Sequence, residues 1–78
     1  MRKIIRMKDQ EIFFKIVSIL RVRRLEMNLS QKDLAIKSGI HPNFIGGIER
    51  GKRNPSLKVL LKITKALGLK INLAPPTM

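Results

Sequence analysis

Between Ser30 and Gly51 the chain carries so many helix start and stop signals that only two short helices fit between them. Ser30 and Asp33 have the spacing of a capping box, in which a hydroxyl and a carboxylate satisfy reciprocal backbone N–H groups ahead of Leu34, Ala35 and Ile36. A helix starting there should end at Ser38. Gly39 then fits a left-handed turn position at little steric cost, Ile40 follows as an apolar plug, and Pro42 suits the first turn of a new helix. That next helix is predicted from Pro42 to Arg50, with Gly51 as its exit.

The flanking segments read as two more helices and a tail. From Asp9 to Met27, Ile12/Phe13, Ile16/Val17 and Ile19/Leu20 recur at helical spacing, with Asp9 available as N-cap, Glu11 near the positive end of the dipole, and Asn28 as a left-handed exit. After the polar, basic loop GKRNP, Ser56 can cap a helix that turns Leu57, Leu60, Leu61, Thr64 and Leu67 inward and stops at Gly68. Leu69 to Leu73 alternates apolar and polar before Ala-Pro-Pro, the pattern of a short strand closed by prolines. A lone strand leaves its backbone groups unsatisfied, so Leu69, Ile71 and Leu73 are candidate dimer-strand residues pairing with a second subunit. The alternative is an irregular tail covering one end of the helical core. Lys3 to Met7 is a weaker strand candidate, or part of a basic arm.

The fold class expected is therefore all-α, four short helices followed by a C-terminal β-strand. At 78 residues it forms a single domain, with a basic arm at 1–8, a helical core at 9–68 and a strand and tail at 69–78. Seventeen Lys and Arg against five Asp and Glu give a formal charge of +12, which self-repulsion disfavours without an anionic partner; nucleic acid is the natural one. A hydrophobic content of 44% argues against a disordered basic tail. Without Cys, and with a single His, neither a disulfide framework nor a metal site is expected, and no cofactor. Five scattered carboxylates offer no nucleophile–base pair, so the chain is not expected to be an enzyme. The apolar run Ile12 to Leu20 is interrupted by Lys15 and leads into Arg21, Arg23 and Arg24 with no small-residue cleavage site, unlike a signal peptide, and is too short to span a bilayer. A cytoplasmic, nucleoid-associated protein is expected. Lipid binding by an amphipathic first helix is the minor physical alternative.

Two short helices joined by a tight glycine turn, held by Leu34, Ala35, Ile40, Ile45 and Ile48, have helix-turn-helix geometry, in which the second helix enters the DNA major groove. Ala35 is small where the two axes should cross. From Leu29 to Gly68 the chain resembles the phage-repressor-like helix-turn-helix family of Cro/C1 or XRE type. The resemblance rests on L-S-Q-x-x-L-A in the second helix, the turn at Gly39, I-E-R-G at Ile48 to Gly51, then R-N-P-S-L and a helix ending A-L-G. It implies a compact helical domain that binds an inverted-repeat operator as a dimer. Two departures stand out. Family members commonly have five helices, whereas here the chain after Gly68 reads as a strand; and Arg23 occupies the site before Arg24 where an apolar residue is usual, predicting a differently packed end of the first helix.

The resemblance also assigns roles. Gln31 matches a position that contacts phosphate and supports the first base-reading residue. His41, Pro42 and Asn43 match the start of the recognition helix. Asn43 is the best base reader, since its amide can donate to and accept from one adenine edge at once. His41 can read a base or simply cap the helix; Pro42 can set the helix start or touch a thymine methyl. Gly46 and Gly47 each cost about 1 kcal/mol relative to Ala in a helix, and on the outward face they would let the backbone approach DNA. Arg50, Lys52, Arg53 and Asn54, aided by Lys37, form the candidate phosphate clamp. Arg24 and Glu49 match a salt bridge joining the first helix to the third.

The function expected is a sequence-specific transcriptional regulator, most simply a dimeric repressor. One alternative is an antitoxin that binds both DNA and a toxin protein; another is a non-specific nucleic-acid binder held by counterion release. RNA roles are disfavoured, because three Phe and no Tyr or Trp leave few stacking platforms.

Overall fold

The structure, a computed structural model, describes residues 9–75. Among these residues the chain forms α1 (Asp9–Glu26), α2 (Gln31–Ser38), α3 (Pro42–Glu49) and α4 (Leu57–Ala66). The arm at 1–8, including the Lys3–Met7 strand candidate, lies outside the described residues.

The local signals operate as the sequence predicts. Asp33 N–H donates to Ser30 Oγ and Ser30 N–H to Asp33 Oδ2, both at 2.9 Å, closing the capping box of α2. Gly39 ends that helix in the left-handed region at φ 75°, where a side chain would be strained. Asn28, at φ 58°, turns the chain out of α1 in the same way. Pro42 opens α3, and Ser56 caps α4 by accepting from Val59 N–H at 3.1 Å.

These short helices are held by one core. α2 packs against α3 and α4, and α1 lies on α3. Leu34, Ile45, Ile48, Ile63 and Leu67 are completely enclosed, and Val17, Leu20, Ala35 and Ala66 complete the buried cluster. Burial of each such aliphatic side chain favours folding by about 1.5–3 kcal/mol. The small Ala35 sits in this cluster, as close approach of α2 and α3 requires.

Three expectations need correction. Only part of the predicted inner face of α1 is buried: Val17, Leu20 and Arg24 point inward and Phe13 packs beside them, while Ile12, Ile16 and Ile19 stay largely exposed. In α4, Leu57 and Leu61 are exposed and Ile63 takes the central position. Ile36 of α2, for which burial was not expected, is 75% exposed. In each case the apolar arc is wider than the surface its neighbours can cover.

The third correction concerns the tail. Residues 69–75 form no strand. A strand exists only against a partner strand, and no other described segment offers one. Instead Leu69 packs on the core, its N–H donating to Thr64 O at 2.9 Å, and the chain continues without regular structure to Leu73, which is 90% exposed. The tail is therefore irregular, with Leu69 alone of its described residues lying on the core. The unusual Arg23 has a definite place: its Nε donates to Leu67 O at 2.9 Å, pinning the end of α4 to α1 through a carbonyl the helix leaves unpaired.

Candidate nucleic-acid interface

The orientation of α3 is set by a buried ion pair. Arg24 donates to Glu49 from Nε (2.7 Å, to Oε2) and from Nη2 (2.9 Å, to Oε1), a two-pronged contact between side chains only 8% and 6% exposed. The remaining Arg24 donor Nη1 reaches Leu29 O at 2.7 Å, at the entrance to α2. Gln31 Nε2 donates to Glu49 Oε1 at 3.1 Å, and Arg21 Nε stands 3.9 Å from the same oxygen. Burial alone would push the Glu49 carboxyl upward; hydrogen bonds from Arg24 and Gln31, with the positive charges of Arg24 and Arg21, outweigh it and hold Glu49 below its ordinary value. The hydrogen bond to Glu49 likewise raises Arg24, against the opposing effect of burial. Among the described residues no buried side-chain nitrogen or oxygen lacks a partner. The network ties α1, the start of α2 and the end of α3 into one unit.

The opposite end of α3 is exposed. His41, Pro42 and Asn43 all face solvent at its N-terminus. His41 Nδ1 accepts from Asn43 N–H at 3.1 Å, so the capping role is realised. This contact occupies Nδ1 and leaves Nε2 as the ring nitrogen not used by the cap. The Asn43 side-chain amide enters no hydrogen bond among the described residues, which leaves its donor and acceptor pair available together.

Gly46 and Gly47 are not open to solvent. Both are buried beneath the chain's own polar side chains. A Cβ added at Gly46 would lie 3.1 Å from Arg50 Nη1 and 3.2 Å from Gln31 Oε1; one at Gly47 would run into Arg53 Cγ. The sequence reading placed both glycines on an outward face that DNA could approach directly. Here their missing side chains instead make room for Gln31, Arg50 and Arg53 to lie against α3. Arg53 also stacks over the half-buried Phe44 ring, its guanidinium carbon 5.9 Å from the centroid. This contact escaped the sequence reading because Phe44 sits on a helix and Arg53 in the following loop, with no periodicity to link them. The approach of Arg21 on α1 to Glu49 on α3 likewise joins separate elements that no periodicity links.

The predicted residues thus fall into two groups. Gln31, His41, Asn43, Arg50 and Arg53 gather around α3, and Lys52 and Asn54 are exposed on the loop that follows it. Lys37 stands apart from them, at a cleft it shares with Lys62 and Lys65. No helix among the described residues is long and apolar enough to cross a membrane.

An exposed helix start carrying a side-chain amide, flanked by cations and fixed from behind by a buried ion pair, defines a DNA-binding helix-turn-helix domain. Comparison with known proteins agrees. The helix-turn-helix family model matches residues 20–73, and the chain belongs to that family. It is 48% identical over 52 residues to the HTH-type transcriptional regulator MJ0272 of Methanocaldococcus jannaschii, covering 67% of this chain and 79% of that one. To the control protein C.BamHI of Bacillus amyloliquefaciens it is 43% identical over 51 residues, 65% of this chain and 63% of the relative. The fold matches that of the restriction-modification controller protein C.Esp1396I, solved as a tetramer in complex with its natural 35 base-pair operator, with a TM-score of 0.72, 34% identity and 82% of each chain covered.

Proposed function

We propose that this chain, a sequence-specific DNA-binding transcriptional regulator of the helix-turn-helix family, acts as a dimeric repressor on an inverted-repeat operator. The observation that carries the reading is the Asn43 amide, unpaired among the described residues, at the exposed start of a helix whose other end is locked by Arg24 and Glu49. Asn43 reads a base edge, with His41 Nε2 beside it and Pro42 in apolar contact. Gln31, Arg50, Lys52, Arg53 and Asn54 hold phosphates and set the register of α3 in the groove.

The dimer forms across the apolar surface left uncovered by α1, α4 and the tail. Ile16, Ile19, Leu57, Ile71 and Leu73 border a groove of about 440 Å³ there. Contiguous exposed apolar surface of this kind is a hallmark of a protein contact. A second copy offers the same surface, so a two-fold contact buries both at once. Operator binding by a tetramer of C.Esp1396I supports an oligomeric reading of DNA.

Selection from a random duplex pool at about 150 mM salt, where non-specific electrostatic affinity is reduced, tests the function. Enrichment of an inverted repeat with half-sites about one helical turn, roughly 10 bp, apart is the expected result. Enrichment of no sequence, with tight low-salt binding that collapses steeply as salt rises, would overturn sequence reading and leave a generic binder.

A further inference from the structure

The cations around α3 do not account for all of the excess positive charge. Lys58, Lys62 and Lys65 are spaced i, i+4 and i+7, which places three exposed ammonium groups on one face of α4. Lys37, in the last turn of α2, joins the far end of this row, where Lys37, Ser38, Lys62, Lys65 and Ala66 line an open cleft of about 430 Å³. Among the described residues none of the four lysines forms an ion pair; the pairs present there engage Arg21, Arg23 and Arg24 instead. The lysines repel one another with no internal compensation.

The near end of the row lies close to the clamp along the chain, Lys58 following Arg53 by five residues. α4 starts at Leu57, directly after the loop bearing Lys52 and Arg53. We propose that the α4 lysine row with Lys37 is a second phosphate-binding surface, along which duplex DNA outside the half-site lies. The proposal rests on the DNA-binding reading above and extends its footprint beyond the bases α3 can reach. Duplex phosphate fits the row better than an acidic protein does. A protein contact is anchored by buried aromatic or Arg side chains, and the cleft contains neither, whereas flexible ammonium groups on a row suit a repeating line of negative charges without reading sequence.

The test compares one selected half-site in a duplex of about one helical turn with the same half-site flanked to about four turns. The wild-type chain, Lys62→Gln/Lys65→Gln, and independently Lys58→Gln and Lys37→Gln are titrated with salt on both duplexes. These lysines are exposed, and thermal unfolding of each variant checks that the fold is kept. The expected result is a steeper salt dependence for wild type on the long duplex, a loss of about 0.9 in slope per contacting lysine removed there, and no change on the short duplex. Equal slopes for wild type and every variant on the long duplex would overturn the proposal, including in favour of an acidic protein as the occupant. Failure of the wild-type chain to prefer the selected half-site on the short duplex would instead overturn the DNA-reading function, so the two failures are separable.

Discussion

The two sides of this small domain solve opposite problems. On the α2–α3 side, polar groups are buried and paired: Arg24, Glu49 and Gln31 saturate one another, and glycines let arginines lie flat. On the side of α1, α4 and the tail, apolar groups are left exposed: Ile16, Ile19, Leu57, Ile71 and Leu73 border an uncovered groove. The first arrangement fixes a geometry within the chain; the second leaves a geometry to be completed outside it. The ion pair thus adds to the packing of Ile45 and Ile48 in orienting α3, and the uncovered groove is where the proposed dimer would form.

The sharpest way to break this contrast is at the ion pair. Arg24→Ala strands the buried Glu49 carboxylate and should cost about 3–5 kcal/mol of stability, measured by urea unfolding. A loss below about 1 kcal/mol, the range of exposed pairs, would mean that the network does not hold α3. Next in size, Ile19→Glu with Ile71→Glu should leave a folded monomer by sedimentation and circular dichroism. Affinity for a two-half-site duplex should then fall by about 10²-fold or more, because the second half-site no longer binds at high effective concentration. An unchanged dimer would move the interface elsewhere.

Substitutions at the reading end should act on DNA and spare the fold. Asn43→Ala should reduce discrimination between cognate and mismatched duplexes by about 1–3 kcal/mol in competition binding, whereas Arg53→Ala should weaken all duplexes alike and lower the salt slope by about 1. Uniform weakening from the Asn43 change would remove it as a base reader. Gly47→Ala sets a helix-propensity gain of about 1 kcal/mol against displacement of Arg53. The displacement should win, for a net loss of about 1 kcal/mol, recovered in Gly47→Ala/Arg53→Ala; equal stability of the two variants would mean that Arg53 yields freely.

Smallest near neutrality is the effect of pH. Glu49 is held below its ordinary value as described, and hydrogen bonds from Ser30, its backbone N–H foremost, hold Asp33 below its own. The unfolded chain therefore takes up protons first as pH falls. The stability from both groups is complete above the ordinary carboxylate range and is lost as pH drops through it to their lowered folded values. Urea midpoints followed into acid should show this decline, and Asp33→Asn should flatten part of it.

The sequence displayed the α2–α3 side far better than the side of α1, α4 and the tail, for a physical reason. Capping boxes, left-handed glycines and a proline at a helix start act over three or four residues, so Ser30, Asp33, Gly39 and Pro42 announce α2 and α3 directly. Ion pairing of Arg24 with Glu49 was legible only through family resemblance, and the Phe44–Arg53 contact not at all, since each joins separate elements. Alternation from Leu69 to Leu73 suggested a strand, yet alternation specifies only which residues could share a face; pairing requires a partner that the described chain lacks. The surplus of apolar positions in α1 and α4 was equally visible, but periodicity does not say which edge of a wide arc a neighbour will cover.

The division of labour is tested most directly by amide chemical-shift changes on titrating the chain with a duplex carrying a single selected half-site. The account predicts changes concentrated at Gln31, His41, Asn43 and Arg53, with Ile16, Ile19 and Ile71 unmoved. Changes centred on α1 and the tail, with Asn43 silent, would contradict it.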